Sequence, residues 1–254
     1  MAESPPAAWA IQRPVAAQRA TSWNRPAFAP IAPHFQAMPD DHQRLYLVTL
    51  VTDPAAAAAR LSAAFAADVD VAAVLVRLPV GLGERDAVNA VKAVAPIAQA
   101  RGAAVLVEDR PEIVGRSGAD GAHLTGVAAL GEAIGALKPA HIAGVGALRT
   151  RHDAMEAAEL EADYVLFGEP GPDGRMPPFE VTLERVGWWA EVFESPCVGY
   201  ATTLDEVSAV AAAGADFVAL DDRILDDPRG PAAALADAAS RLGLVLAARA
   251  EVAP

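Results

Sequence analysis

The chain has 254 residues, is 53% hydrophobic and carries a formal net charge of −13 at pH 7. That length suits one large domain around a single core, and an acidic balance without a basic patch excludes a conventional nucleic-acid binder. No apolar run approaches the roughly 20 residues of a membrane span, no secretory signal pattern is visible, and the lone Cys197 excludes an internal disulfide or a cysteine zinc site, so a cytoplasmic protein without membrane attachment is the expectation.

Residues 1–41 differ from the rest. They are rich in proline and alanine, hold single scattered aromatics (Trp9, Trp23, Phe28, Phe35) and lack periodicity. The reading is a disordered or loosely draped tail. A transit peptide is the alternative, because Arg13, Arg19 and Arg25 face only Glu3 before Asp40, although the prolines spoil an amphipathic helix. Met38 offers a second start.

Residues 42–254 read as alternating strands and helices. Leu45 to Val51 is an apolar strand, and Thr52-Asp53-Pro54 opens the alanine-rich helix to Ala67, with Asp53 as N-cap and Pro54 at the first position. Val71 to Leu78 is the second strand, Glu84 to Arg101 its helix, and Ala103 to Glu108 the third strand. Pro111 to Ser117 is a short helix stopped by Gly118, and Gly121 to Leu124 is strand four, carrying His123. Helix Val127–Leu137, strand His141–Val145, helix Arg151–Leu160 and strand Tyr164–Phe167 follow. Gly168 to Pro178 is a turn-rich loop of the kind that closes over sites. Helix Phe179–Glu194 contains adjacent Trp188 and Trp189, about 100° apart, so at least one belongs to the core or an interface. Strand Cys197–Tyr200, a helix ending at Ala213, strand Phe217–Leu220 and a helix from Pro231 complete the chain. A small residue and an aspartate precede three of these strands, at Ala119-Asp120, Ala162-Asp163 and Ala215-Asp216. Eight strands alternating with eight helices predict a (β/α)8 TIM barrel. The alternative, an open doubly wound sheet, calls for a Gly-x-Gly-x-x-Gly phosphate turn after an early strand, and none is present.

In such a barrel the residues just past each strand share one mouth. They include Arg77, Glu108, Asp109, Arg110, His123, Arg149, Gly168, Glu169, Tyr200, Asp221 and Asp222. Converging carboxylates hold a hard divalent cation or raise one another's pKa for acid chemistry. The alternative is that they pair with Arg77, Arg110, Arg149 and Arg223. His123 at a strand end suits a general acid or base, or else a packed core position. The only lysines, Lys92 and Lys138, lie on or beside helices, so a Schiff-base mechanism has no lysine at the mouth.

From Leu45 to about Leu235 the chain resembles the thiamine phosphate synthase and thiazole tautomerase family of small barrels. The resemblance rests on Tyr46-Leu-Val-Thr49, Val76-Arg77, Glu108-Asp109-Arg110, Gly118-Ala-Asp-Gly-Ala-His-Leu124, Ala162-Asp-Tyr-Val-Leu-Phe-Gly168 and Ala213-Gly-Ala-Asp-Phe-Val-Ala219. It implies a phosphorylated small-molecule substrate and leaves room for a homo-oligomer. The implied reaction joins a hydroxymethylpyrimidine diphosphate to a thiazole phosphate, with Mg²⁺ holding the departing pyrophosphate. The resemblance assigns Arg77 to the diphosphate and Asp109 to the metal; their place at the mouth makes His123 and Glu108 candidate catalytic groups, while the tautomerase's histidine falls near Leu148 or Arg149. Arg110, Arg149, Gly168, Glu169, Gly199, Tyr200, Asp221 and Asp222 are then substrate-binding candidates. The family's glutamine and lysine beside the arginine are Leu75 and Pro79 here, its second metal aspartate falls near Ala128, and its serine after strand five is Gly146. Its Gly-Gly phosphate turn reads Gly199-Tyr200, and its small strand-eight phosphate contact reads Asp221-Asp222. The second functional reading is a member without synthase activity, a small-molecule-binding or regulatory barrel with an acidic mouth.

Overall fold

A computed structural model describes residues 43–171 and 174–252; the tail expected over 1–41 lies outside them. The strands are β1 (Arg44–Leu50), β2 (Val71–Arg77), β3 (Ala104–Glu108), β4 (Gly121–Thr125), β5 (Ile142–Gly146), β6 (Tyr164–Phe167), β7 (Cys197–Ala201) and β8 (Phe217–Leu220). All pair in parallel in sequence order, and β1 also pairs β8, closing the barrel. The helices are α1 (Pro54–Ala64), α2 (Glu84–Gln99), α3 (Val114–Ser117), α4 (Val127–Leu137), α5 (Arg151–Glu159), α6 (Phe179–Val192), α7 (Leu204–Ala213), α8 (Asp222–Leu225) and α9 (Pro231–Val252). Strand edges differ from the sequence reading by a residue or two. The new element is α8, a single turn after β8 that a four-residue pattern does not reveal. Among the described residues no helix is long and apolar enough to cross a membrane.

Strand alternation sorts the core into two layers. Leu45, Leu47, Val74, Val76, Val105, Val107, Cys197 and Val218 face outward and pack under the helices. Tyr46, Leu75, Leu106, Tyr164, Tyr200 and Phe217 face inward and fill the barrel. Trp189 is fully buried in the outer layer and donates its indole N–H to the Ser195 carbonyl at 2.7 Å. Trp188 lies at its rim, with the Arg151 guanidinium 4.8 Å from a ring centroid.

Local chemistry fixes the ends. Asp53 caps α1 by accepting from Ala55 N and Ala56 N. Thr150 and Asp153 form a reciprocal capping box on α5. The three aspartates that recur before strands share one task at the amino end of the barrel. Asp120, ahead of β4, accepts from Val105 N of β3 at 2.7 Å. Asp163, ahead of β6, accepts from Ala143 N of β5 at 2.8 Å, and Asp216, ahead of β8, accepts from Cys197 N of β7 at 2.8 Å. Each satisfies an amide in the first two residues of the preceding strand and pins the register of a strand pair.

Close packing inside the barrel demands glycine at Gly144. A Cβ there would lie 2.0 Å from Tyr164 Cζ. Gly144→Ala should therefore destabilise the fold by about 1–3 kcal/mol or more, the ordinary cost of overpacking. Gly135→Ala, on the exposed face of α4 with nothing within 4 Å of a new Cβ, should stabilise it by about 0.4–1 kcal/mol. Urea unfolding of the two variants measures both signs.

Candidate active site at the barrel mouth

Arg77 ends β2 and Glu108 ends the neighbouring β3; Val76 pairs with Val107, so the next residues stand side by side. Arg77 Nε donates to Glu108 Oε1 at 2.7 Å, and Arg77 Nη2 donates to Glu169 Oε2 at 3.2 Å. Glu169 follows β6. Gly168, at φ +93°, turns the chain so that Glu169 enters the barrel, where it is only 8% exposed. His123, on β4 and fully buried, brings Nε2 to 3.4 Å from Glu169 Oε2, an ion-pair separation rather than a full hydrogen bond. The opposite ring nitrogen, Nδ1, lies 2.8 Å from Tyr164 Oη, which lies 2.8 Å from Tyr46 Oη. A continuous polar string, Tyr46–Tyr164–His123–Glu169–Arg77–Glu108, therefore crosses the barrel interior.

The two carboxyl groups of this string are pushed apart. Burial raises the Glu108 pKa, and the pairing with Arg77 only partly offsets it. Burial acts on Glu169 in the same sense, but His123 and Arg77 outweigh it and leave the group below its ordinary value. Burial opposes the charge on Arg77, yet Glu108 and Glu169 more than restore it. The phenols of Tyr46 and Tyr164 are raised by burial, which keeps them protonated.

The remaining residues expected at the mouth divide. Asp109, in a left-handed conformation at φ +48°, is exposed and accepts from Thr125 N at 2.7 Å. Arg110 is held by Glu112 at 2.6 Å and by the Leu82 carbonyl. Arg149 is exposed in the β5–α5 loop, and its backbone amide donates to Asp153. Tyr200 faces inward and donates to Asp221 Oδ2 at 3.0 Å; Arg223 Nε donates to the same oxygen at 2.8 Å. Asp221 also caps α8. Met176, from the β6–α6 loop, packs on the barrel-filling cluster beside Arg223.

Two expected residues do not belong with these. Asp222, the first residue of α8, turns away from the mouth and accepts from Leu50 N at 2.9 Å, with Arg60 of α1 at 3.0 Å. It locks β8 and α8 to the β1–α1 corner. Gly199 lies within β7, and a Cβ there would lie 2.3 Å from Val210 Cγ1 of α7; packing under the helices requires the glycine, which forms no phosphate turn. Pairing with arginine, the alternative to a cation-binding acid cluster, is what holds Glu108, Glu169 and Asp221. Among the described residues no group of three or more His, Cys, Asp or Glu side chains is placed to hold a metal ion. Sequence reasoning passed over Tyr46 and Tyr164. The available signal was a phenol on an inward position of a buried strand, which requires a hydrogen-bond partner.

A closed parallel barrel with its charged groups gathered at the carboxyl ends of the strands is a TIM-barrel protein with its site at the mouth. A family model described as thiamine monophosphate synthase matches residues 45–224. A thiamine-phosphate synthase of Rhodospirillum centenum is 40% identical over 201 residues, covering 76% of this chain and 95% of the relative. A thiamine-phosphate synthase of Hyphomonas neptunium is 35% identical over 217 residues, covering 78% and 93%. The solved thiamine phosphate pyrophosphorylase of Pyrococcus furiosus shares the fold, with TM-score 0.62 at 20% identity over 80% of this chain and 96% of that one. The chain belongs to the thiamine monophosphate synthase family.

The opposed shifts of the two glutamates give opposed pH dependences. Glu169 stabilises the fold above the ordinary carboxylate range, about pH 4.3, and that contribution is lost as pH falls through its lowered folded value. Glu108 contributes stability below that range and loses it as pH rises through its raised value. In urea unfolding, the stability gap between wild type and Glu169→Gln should therefore narrow as pH falls from about 6 to about 3, through the carboxylate range. Glu108→Gln should gain on the wild type as pH rises over the same interval.

Proposed function

We propose that this chain carries out the synthase reaction of its family, joining a hydroxymethylpyrimidine diphosphate to a thiazole phosphate with loss of pyrophosphate. The observation that carries this reading is that Arg77, at the end of β2, and the exposed carboxylate of Asp109, just past the neighbouring β3, lie on the same mouth of the barrel. A guanidinium beside a carboxylate-bound cation is a grip for a diphosphate. The 40% identity to a curated synthase over most of both chains supports synthesis over a purely regulatory barrel.

The family implies Mg²⁺. Magnesium is commonly held by one or two carboxylates together with substrate phosphates rather than by an all-protein cage. One exposed aspartate, with no metal-holding acid cluster around it among the described residues, fits that mode. Asp109 would hold the ion, and the ion would neutralise charge on the departing diphosphate. Arg77 binds the diphosphate and must give up part of its contact with Glu108 to do so. His123, Tyr164 and Tyr46 present the polar edge of the barrel interior to the pyrimidine. The thiazole phosphate meets positive charge from Arg149 and Arg223 at the rim, in place of a glycine turn, while Tyr200 closes the floor beneath it.

Thiamine phosphate formed from the two substrates and Mg²⁺, read by fluorescence after oxidation, tests the reading. Asp109→Asn keeps the left-handed backbone accessible and should lower Mg²⁺-dependent turnover by about 10- to 100-fold. Arg77→Ala should raise KM for the diphosphate. Absence of turnover from folded wild-type protein at high concentration would send the function to unphosphorylated or cationic ligands.

A further inference from the structure

The mouth holds one carboxylate more than its arginine needs. Arg77 has a 2.7 Å partner in Glu108, and Glu169 is added at 3.2 Å from deeper in the barrel. One guanidinium thus faces two carboxyl groups inside a water-poor barrel.

Glu169 is also held by construction. Gly168 adopts φ +93°, and a Cβ there would lie 2.5 Å from Thr182 Cγ2. On the neighbouring strand β5, a Cβ on Gly146 would lie 2.0 Å from Glu169 Oε1 and 2.7 Å from His123 Nε2. Gly146 thus clears the space for the carboxylate, and Gly168, just past β6, packs against Thr182 and sets the turn that delivers it. Its Oε1 has no hydrogen bond of good geometry, only the nearby backbone of Ala147. A buried anion with an under-used oxygen stands ready for a positive partner.

The reaction proposed above generates that partner. The bond between the pyrimidine's exocyclic carbon and the diphosphate oxygen breaks, and its electron pair leaves with the diphosphate. The carbon and ring carry positive charge until the thiazole nitrogen donates its lone pair to form the new C–N bond. We propose that Glu169 is the anionic group that faces this pyrimidine cation and stabilises it, a role resting on the synthase reading. A fixed charge aimed at where charge develops is worth most where water is excluded and the group does not have to reorganise. The same carboxylate repels the diphosphate of the bound substrate, because both compete for Arg77. It therefore opposes the ground state and favours the transition state, the combination that raises kcat at the expense of KM.

That opposition gives a signature a merely structural acid would not produce. In Glu169→Gln, KM for the pyrimidine diphosphate and the inhibition constant for inorganic pyrophosphate should both fall by several-fold, while kcat falls by about 10- to 100-fold. Glu169→Asp, which keeps the charge, should recover part of kcat and return the pyrophosphate constant toward wild type. It also serves as the second variant if Glu169→Gln fails to fold by circular dichroism. Lower KM with unchanged or higher kcat would overturn the proposal and make Glu169 a plug in the mouth. A raised KM, or equal losses in Glu169→Gln and Glu169→Asp, would overturn it in favour of a packing role. Absence of wild-type turnover would overturn the synthase reading together with this one, whereas wild-type turnover without the opposed shifts would overturn this one alone.

Discussion

The mouth of this barrel is governed by the cost of placing charge inside it. A guanidinium taken out of water is tolerated only where carboxylates meet it, and breaking such a pair by removing one member leaves the other stranded. Arg77 is therefore bound to Glu108 and Glu169, and those in turn to their own neighbours. The demand spreads through His123 to Tyr164 and Tyr46, because a buried polar atom requires a partner. One arginine thus determines the character of side chains on β1, β3, β4 and β6. The interior becomes a polar string in an apolar sleeve, with its two carboxyl groups displaced in opposite directions.

The family's usual residues are replaced in a physically coherent way. Where the resemblance places a serine after strand five, this chain has Gly146, and the vacated volume is the space that Glu169 occupies. On β7 Tyr200 faces inward, and its hydroxyl donates to Asp221, which Arg223 also holds.

Most of the scaffold was legible because parallel strands buried on both faces read as short apolar runs between helix caps and glycine stops. Strands β6 and β8 and helix α4 match the pattern to the residue. The site was less legible because a sequence shows which acids lie past a strand, not which way they point. Asp221 and Asp222 look equivalent in the chain, but Asp221 is the extended N-cap of α8 and Asp222 its first helical residue, so one meets Tyr200 and the other Arg60. Gly199 looks like half of a phosphate turn, and only the position of Val210 reveals a packing glycine. Tyr46 and Tyr164 look like core because tyrosine on an apolar strand has no visible partner until the strands are brought together. Helix α8 escaped because four residues carry no period.

The aspartates at the amino end of the barrel bear on how the chain assembles in time. Each lies 15 to 20 residues beyond the amide it meets, within a single strand–helix–strand unit. Loops of that length close at small entropic cost, so three strand pairs can settle their register locally, as soon as both strands are available. The join between β1 and β8 is of another kind, since Arg44 must find Phe217 across nearly the whole described chain. That seam also carries the Asp222 contact to Leu50 and Arg60. Closure is thus the longest-range pairing of the sheet, and the mouth, which needs β1, β2, β3, β4 and β6 together, is complete only when the separate pairs join into one ring.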